Sequence, residues 1–331
     1  MKTVLNLSQE QRNTIFEVTA REMHVRPIII EKDFWVCVIL NYLFNESKFK
    51  DVLIFKGGTS LSKCYGVIKR FSEDVDLIIK WDALGFNDKD VYKERSYTQN
   101  SKFETQMNER GAEFIQNEIK NDLIKNLSPL IQGITIESDK NDPMILYVNY
   151  PHIGNDQYIK SSIKLEIGPV AAKTPMEEIS IRPYYNNYFN LKGDDTDFRV
   201  NAVSIARTFW EKVLILHAEA KRPIDKKMPL RYFRHYYDVV MIYKSEHFRK
   251  ISGNLDLFEE VRRFKNKYYR SSWSKLNECR LSNIQLIPNN ERLKELEKDY
   301  QSMKDMFFEG PPKFEETIHE LTNLQSLLNS Y

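Results

Sequence analysis

FKGGTSLSKCYGVIKRFSEDVDLIIK, residues 55–80, places a glycine pair shortly before two aspartates that are one residue apart. The short apolar run DVLIF at 51–55 precedes the glycines, and its β-branched residues predict a strand. We predict a turn at the glycines and a helix from about residue 59 to 67. The segment EDVDLII at 73–79 alternates polar and apolar residues, which predicts a second strand.

The turn has the chemistry of an anion-binding site. Gly57 and Gly58 let the backbone bend sharply and bring its N–H groups close to an anion. Thr59 and Ser60 add hydroxyl donors, and Lys56 supplies a positive charge that suits a phosphate. The pattern matches neither GxxxxGK[ST] nor GxGxxG, so the P-loop and Rossmann fingerprints are absent. Taken alone, a purely structural turn between a strand and a helix remains the alternative.

The second strand carries two carboxylates on one face. Asp74 and Asp76 alternate with Val75, Leu77 and Ile79, so their Cα atoms should lie about 7 Å apart. Both can then reach one hard cation, and Mg²⁺ prefers oxygen ligands that it shares with substrate phosphates. Two such ions can activate an attacking oxygen and stabilise the leaving one. A solvent-facing strand is the alternative for the aspartates alone, but the turn and the pair together are more specific.

Helical and strand patterns continue on both sides of this stretch. Ser8 and Gln11 have the spacing of a capping box at a helix start, and IIIEKDFWVCVILNYLF at 28–44 predicts a second helix. Residues 102–127 have helical character. The segments GITIES, MILYVNY and SSIKLEIGPV predict three further strands.

The pattern changes near residue 200. From about residue 201, each long segment has the periodicity of an amphipathic helix. We therefore predict a mixed α/β domain at 1–195 and a helical domain at 200–331.

The composition indicates an ordinary soluble protein, with 41% hydrophobic and 29% charged residues. The net charge is +2, so any basic surface must be local. Cys37, Cys64 and Cys279 are widely spaced, and we interpret them as reduced thiols without a zinc site. The amino-terminal residues are too polar for a signal peptide, and no apolar run reaches the length of a membrane span. We expect a cytoplasmic protein that does not enter a membrane.

The order of turn and aspartates resembles the nucleotidyltransferases of the DNA polymerase beta type. The closer resemblance is to the AbiEii/AbiGii toxin family within that superfamily. The segments that carry it, in the expected order, are EKDFWVCVIL, FKGGTSLSK, RFSEDVDLII and the pair SIARTFWEKVLIL and RYFRHYYDVV; LEKDYQSMKDMFF is similar in kind. The resemblance implies an α/β (α+β) fold, with a polymerase-beta-like domain around a mixed sheet and a mostly helical C-terminal domain.

The resemblance also implies a site. The residues that it assigns to the nucleotide phosphates are Lys56, Gly57, Gly58, Thr59 and Ser60. Asp74 and Asp76 would hold Mg²⁺, with Mn²⁺ as the alternative ion, and the substrate would be an NTP. Lys212 would contact the phosphates, and Asp238 would complete the site from the helical domain.

Several of these assignments have alternatives. The superfamily usually takes a third carboxylate from a later strand, and Glu166 is the candidate because it shares a strand face with Lys164 and Gly168; an exposed strand glutamate is the alternative. Lys212 could be a solvated lysine, and Asp238 a surface carboxylate paired with Arg234. Arg234 and His235 are both candidates for the basic residue that the family often places before this aspartate. The histidines His217, His235 and His247 lack metal-ligand spacing and are interpreted as structural or surface residues.

The acceptor is the least defined part of the prediction. KRPIDKKMPLRYFRHYY at 221–237 interleaves basic residues with Tyr232, Phe233, Tyr236 and Tyr237, which suits an RNA end; a helical core is the alternative for the aromatics. Family members include toxins that add nucleotides to a tRNA 3′ end, so the resemblance implies tRNA. It further implies a toxin of a toxin–antitoxin or phage-defence system, with a separately encoded antitoxin regulator that need not touch it. Transfer to a protein hydroxyl or a small molecule, and a non-catalytic binding module, are the alternatives.

Overall fold

The chain folds into two units. The structure, a computed structural model, describes residues 1–70, 72, 74–152, 161–189, 196–308 and 310–331. The first unit comprises Met1–Cys64 and Phe71–Val203, and the second comprises Tyr65–Arg70 and Ser204–Tyr331. Residue 195, the predicted end of the first domain, lies outside the described residues.

The first unit contains the strands and the amino-terminal helices. In chain order, its described elements are α1 Lys2–Leu5, α2 Gln9–Met23, α3 Pro27–Asn41, β1 Leu53–Lys56, α4 Gly57–Lys63, β2 Asp74–Ile79, α5 Asp88–Tyr92, α6 Tyr97–Phe114, α7 Lys120–Leu127, β3 Thr135–Ser138, β4 Ile145–Asn149, β5 Ser162–Gly168, β6 Met176–Ile181 and β7 Phe198–Val203. Short π-helical segments follow α3 at Tyr42–Glu46 and α6 at Ile115–Ile119.

The strands form one mixed sheet with β2 at its centre. The order across the sheet is β3-β4-β5-β2-β1-β7-β6. Strand β2 is antiparallel to β1 and parallel to β5, and β1 is parallel to β7. The outer pairs are antiparallel. This mixed sheet, followed by a helical unit, confirms the predicted fold class.

Burial explains why α3 lacks a polar face. Residues 28–40 are all buried, including three charged side chains, and the helix contacts β5 and β7. A helix that is apolar nearly all round is typical of a protein interior. The capping box predicted for Ser8 and Gln11 is present at the start of α2.

Two strands do not follow from the sequence pattern. β6 lies in a segment for which we made no prediction, and residues 201–203, predicted as helical, belong to β7. The helix α8 begins only at Ile205, after Ser204 accepts a hydrogen bond from the Arg207 N–H. Because a serine cap marks a helix start, Ser204 was the available signal for this boundary.

The second unit is helical, as predicted. Its α-helices are α8 Ile205–Ala220, α9 Phe233–Lys244, α10 Phe248–Ser252, α11 Asp256–Tyr268, α12 Asn290–Ser302 and α13 Phe314–Asn329. The segment Tyr65–Arg70 also belongs to this unit. It is fastened there by hydrogen bonds from the Lys69 N–H to the Tyr237 hydroxyl at 3.0 Å and from the Phe308 N–H to the Lys69 carbonyl at 2.9 Å.

Two sequence predictions concern the chain as a whole. All three cysteines are free thiols, and burial raises the pKa of Cys279 to about 11 and that of Cys64 to about 12. Their redox state in the cell stays a prediction. None of the helices in the described part of the chain combines the length and the apolar character that a membrane span requires.

Candidate active site

β1 ends at Lys56 and α4 begins at Gly57, so the glycines predicted as a separate turn form the first turn of α4, and the helix ends at Lys63 instead of near residue 67. This glycine turn packs against the second aspartate. Gly57 has a φ of +82°, and a Cβ atom built on it would lie 1.9 Å from Oδ2 of Asp76. A side chain at this position would meet both backbone strain and the carboxylate, so the close approach requires glycine. The structure thus brings together the two motifs that lie about twenty residues apart in the sequence.

The hydroxyls of the turn fasten it to the sheet. Thr59 Oγ1 donates a hydrogen bond to the backbone carbonyl of Asp74, and Ser60 Oγ donates to the Gly57 carbonyl at 2.9 Å. Both side chains are buried, as is Gly58. These bonds fix the turn beside the start of β2, a positioning role that the sequence did not predict for the hydroxyls.

The carboxylates face the same side of the sheet as a lysine on each neighbouring strand. Asp74 and Asp76 are half-buried, whereas the alternate residues of β2 are buried, in agreement with the predicted alternation. In the register of the sheet, Asp76 lies opposite Lys56 on β1 and opposite Glu166 on β5. Asp74 lies opposite Lys164.

Glu166 is engaged by Lys164. The two side chains form an ion pair, with 40% and 29% of their surfaces exposed, respectively. Burial disfavours the Lys164 charge, but the hydrogen bond to Glu166 and the charge of Asp74 outweigh it and raise the pKa of Lys164. No group of three or more His, Cys, Asp or Glu side chains in the described ranges is arranged to hold a metal ion. A third ligand at Glu166 therefore stays a prediction.

Two aspartates fit a metal that the substrate helps to coordinate. Mg²⁺ usually takes one or two protein carboxylates and completes its shell with water and substrate phosphates. Asp74 and Asp76 provide such a donor pair on one strand face, and the Asp76 carboxylate packs directly against Gly57 of the adjoining turn. The residues present therefore fit a shared ion better than a site built by the protein alone.

The second unit contains a buried ion cluster around Asp238. This carboxylate is fully buried on α9 and accepts two hydrogen bonds from Arg70, from Nε to Oδ1 and from Nη2 to Oδ2, each at 2.8 Å. Lys212 Nζ on α8 lies 2.8 Å from Oδ2. Burial alone would raise the pKa of Asp238, but Arg70 and Lys212 hold it well below its ordinary value. Asp238 is therefore an anion between two cations.

This cluster corrects several alternatives that the sequence left open. Asp238 is not a surface carboxylate paired with Arg234, and Lys212 is buried rather than solvated. Burial, together with the charges of Lys212 and Arg234, lowers the pKa of His235 well below its ordinary value, so this ring stays neutral near pH 7. Neither Arg234 nor His235 supplies the cation at Asp238; Arg70 does.

Arg70 is the residue that sequence reasoning missed. It precedes the aspartate strand and lies 168 positions before Asp238 in the chain. The available signal was indirect, since a buried carboxylate requires cationic partners. Only the fold identifies which arginine provides one.

These features together define a nucleotide-transfer enzyme of the polymerase-beta-like class. A family model described as "Nucleotidyl transferase AbiEii toxin, Type IV TA system" matches residues 38–320, more than half of the chain. The chain belongs to this family, and the resemblance seen in the sequence is confirmed. It is a nucleotidyltransferase of the toxin class.

Two solved structures resemble the chain at low identity. JHP933 from Helicobacter pylori is 16% identical, with a TM-score of 0.42 over 91% of this chain and 90% of that chain. The nucleotidyltransferase toxin MenT4 from Mycobacterium tuberculosis is 17% identical, with a TM-score of 0.38 over 87% of this chain and 98% of that chain. No curated protein matches significantly. The family assignment rests on the family match.

Proposed function

We propose that this nucleotidyltransferase moves a nucleoside monophosphate from an NTP to the 3′ end of a tRNA and releases pyrophosphate. The observation that carries the proposal is the packing of Gly57 against the Asp76 carboxylate. A phosphate at the turn would lie next to a carboxylate that can share a cation with it. Neither motif alone would provide that combination.

In the first unit, different residues position the turn, bind the phosphates and hold the metal. Thr59 and Ser60 hold the turn in place, and its backbone N–H groups with Lys56 bind the phosphates. Asp74 and Asp76 would hold Mg²⁺ or Mn²⁺, which stabilises the charge that develops on the transferred phosphoryl group. The acceptor hydroxyl attacks the α-phosphorus, and the bond from that phosphorus to the pyrophosphate oxygen breaks.

The family resemblance assigns Lys212 and Asp238 to the same reaction. In the second unit Asp238 holds Lys212 and Arg70 through three hydrogen-bonding or ionic contacts of 2.8 Å. We therefore assign Asp238 a positioning role for these cations. The proposed role of Lys212 is electrostatic, as a positive charge that stabilises the triphosphate.

Charge distribution supports a nucleic-acid acceptor. The second unit contains 25 Lys and Arg residues and 18 Asp and Glu residues, a net charge of +7, whereas the whole chain has +2. Lys226, Lys227 and Lys275 are exposed there. Such a local excess suits the phosphates of RNA.

Of the four aromatic residues at 221–237, three follow the helical-core alternative. Phe233, Tyr236 and Tyr237 are buried and pack inside the helical unit. Trp273 instead lies beside the basic loop, with the Lys226 ammonium 4.2 Å and the Arg222 guanidinium 5.1 Å from the ring centroid. The basic surface therefore joins the loop at 222–227 to the segment around Trp273.

The biological setting follows from the family. Its description as a toxin of a Type IV toxin–antitoxin system implies an antitoxin. We propose a separately encoded regulator that counteracts the toxin without needing to bind it, within a toxin–antitoxin or phage-defence system. Co-purification of the two gene products, together with a growth-rescue assay, tests the second point: rescue without a stable complex is expected, and rescue that is lost whenever the complex is disrupted would contradict it.

Labelled NTPs test the reaction. Wild type should label tRNA in total RNA, and Asp76→Asn should lower the rate by more than about 100-fold, because the donor pair is broken. Circular dichroism should show an unchanged fold. Label in a protein extract and not in RNA would overturn the tRNA acceptor in favour of a protein hydroxyl.

A charge variant tests the RNA surface. Lys226→Gln/Lys227→Gln should weaken tRNA binding and reduce the slope of log affinity against log salt by about 1–2. The matched control is Lys89→Gln/Lys140→Gln, which neutralises two exposed lysines of the first unit. Equal losses in both variants would contradict a localised surface.

A further inference from the structure

Lys164 places a fixed positive charge on the carboxylate face of the first unit. It lies on β5 directly opposite Asp74, and its ammonium pairs with Glu166, the neighbour of Asp76 across the strands. One lysine therefore lies among all three candidate carboxylates. This arrangement is unexpected for a face that binds metal, because two cations compete for the same oxygens.

The strand holds Lys164 on this face. Ile163 and Leu165, on either side of it, are fully buried on the opposite face of β5. A strand cannot turn one side chain over without exposing its neighbours, since successive side chains point to opposite faces. The ammonium can move only by rotating its own side chain.

On its other side, Lys164 lies opposite Tyr147 on β4, whose hydroxyl donates to Asp139 Oδ2 at 3.1 Å. The Lys164 charge also acts on Asp139, although Asp139 is already bound by Tyr147 and by the backbone N–H groups of Asn141 and Asp142. Across β2 and along its own strand, Lys164 faces Asp74 and Glu166. Its charge acts on the carboxylates that are proposed for the metal.

We propose that Lys164 competes with the divalent metal for the carboxylate face, so that the metal binds tightly only together with the nucleotide. The inference rests on the proposed metal-dependent function. The triphosphate brings enough negative charge to balance both the ammonium and the metal. Lys164 thereby couples metal binding to the substrate.

Mn²⁺ binding in the absence of nucleotide tests the competition. Lys164→Met keeps the length and apolar stem of the side chain and removes its charge. A unit charge some 6 Å from a divalent ion in water-like surroundings changes its affinity about tenfold, so this variant should bind Mn²⁺ about tenfold more tightly. Electron paramagnetic resonance of free Mn²⁺ measures the affinity.

Two controls isolate the effect of the charge. Lys164→Arg keeps the cation and should bind Mn²⁺ as wild type does. Lys140→Met makes the same chemical change at an exposed lysine in the turn between β3 and β4, and should also match wild type. If Lys164→Met does not fold, Lys164→Gln carries the same prediction.

Nucleotide should abolish the difference in Mn²⁺ affinity between Lys164→Met and wild type. With a non-hydrolysable NTP analogue present, the tightening in Lys164→Met should disappear, because the phosphates then balance the charge. An unchanged Mn²⁺ affinity without nucleotide overturns the proposal. The proposal also fails if Lys164→Met binds the analogue more weakly than wild type in the absence of metal while its Mn²⁺ affinity is unchanged. That result would make Lys164 a phosphate ligand.

Asp76→Asn separates this inference from the proposed function. If wild type binds Mn²⁺ and Asp76→Asn does not, the metal site stands, and only the response of Lys164→Met decides the competition. If wild type shows no Asp76-dependent binding of Mn²⁺, the metal part of the proposed function fails and the competition fails with it.

Discussion

At Gly57, the space that a Cβ atom would need is filled by the Asp76 carboxylate. Gly57→Ala therefore has to displace that carboxylate or the turn, in addition to adopting a φ of +82°. We expect a loss of about 1–3 kcal/mol in the free energy of unfolding and a larger relative loss of activity. Chemical denaturation and the labelled-NTP assay measure the two effects.

Gly66 provides the matched control. It also has a positive φ, +62°, but a Cβ atom there would meet nothing within 4 Å. Gly66→Ala should therefore show the backbone strain alone and keep most of the activity. Equal losses of activity in both variants would mean that contact with Asp76 is not the cause.

At Asp238, the prediction concerns a buried charge. Asp238→Ala leaves Arg70 and Lys212 without their shared anion, and breaking a buried ion pair costs about 3–5 kcal/mol. We expect a loss of that size in thermal or chemical denaturation.

Arg234→Ala is the comparison, because the sequence allowed Arg234 as the partner of Asp238. Arg234 is only half-buried, and the structure pairs Asp238 with Arg70 instead. We expect a change within about 0.5 kcal/mol, as is usual for substitutions outside such clusters. A loss comparable to that of Asp238→Ala would contradict the assignment of the pair.

At the scale of elements, the sequence predicts what is local. The alternation in β2 follows from residues two positions apart, and the start of α2 follows from a capping box of two residues three positions apart. The turn and the aspartates were found because both motifs lie within one short stretch. The contact between Gly57 and Asp76 does not follow from their spacing in the sequence. It was expected because a phosphate-binding turn and metal-binding carboxylates would act on the same nucleotide.

The sequence does not predict pairings that only the sheet or the packing creates. The sequence predicts a helix from about residue 201, within β7, because the apolar residues of this strand continue into those of α8. Glu166 and Lys164 are two residues apart on one strand, so their pairing is local. Its effect on the candidate site depends on β2, which places Asp74 and Asp76 opposite them. The Arg70–Asp238 pair joins distant parts of the chain, so no local pattern indicates it.

A buried ion pair connects the end of α4 to α3. Lys63 Nζ lies 2.6 Å from Asp33 Oδ1, and both side chains are almost fully buried. Lys63 also donates to the Arg182 carbonyl, and Asp33 accepts from the Tyr184 N–H, each at 2.7 Å. The helix that follows the glycine turn is thus fixed at its far end.

This pair predicts unequal effects of single and double substitutions. Asp33→Ala should cost about 3–5 kcal/mol, because Lys63 is left as a buried unpaired charge. Asp33→Leu/Lys63→Met removes both charges and should be closer to wild type than the single variant. Urea denaturation of Asp33→Leu, Lys63→Met and the double variant completes the double-mutant cycle that tests this. Additive losses would contradict it.

At the scale of the whole molecule, one buried histidine makes the free energy of unfolding depend on pH. His217 on α8 is buried, and its Nδ1 accepts a hydrogen bond from the Gln285 N–H at 3.0 Å. Burial, with a smaller contribution from Lys221, lowers its pKa to about 4. The geometry agrees with the structural role predicted for it.

The sign of the pH dependence follows from that pKa. Between the ordinary histidine pKa of about 6.5 and a value of about 4, the unfolded chain binds the proton and the folded chain does not. The stability contribution is complete above pH 6.5 and declines as the pH falls, by up to about 3 kcal/mol. His217→Gln should reduce this decline in denaturation measured from pH 7 to 4. An unchanged decline would assign the acid sensitivity to other groups.

The segment Tyr65–Arg70 limits how the protein can be divided. These six residues belong to the second unit, although the chain enters them from α4 and leaves them toward β2. A truncation after residue 203 would therefore give a fragment that retains Arg70 but has lost Asp238, and the remaining fragment would lack the arginine. The first piece would thus carry Arg70 without its carboxylate, and the second would keep Asp238 with Lys212 as its single partner from the buried cluster. We expect the two halves to be soluble only when they are expressed together.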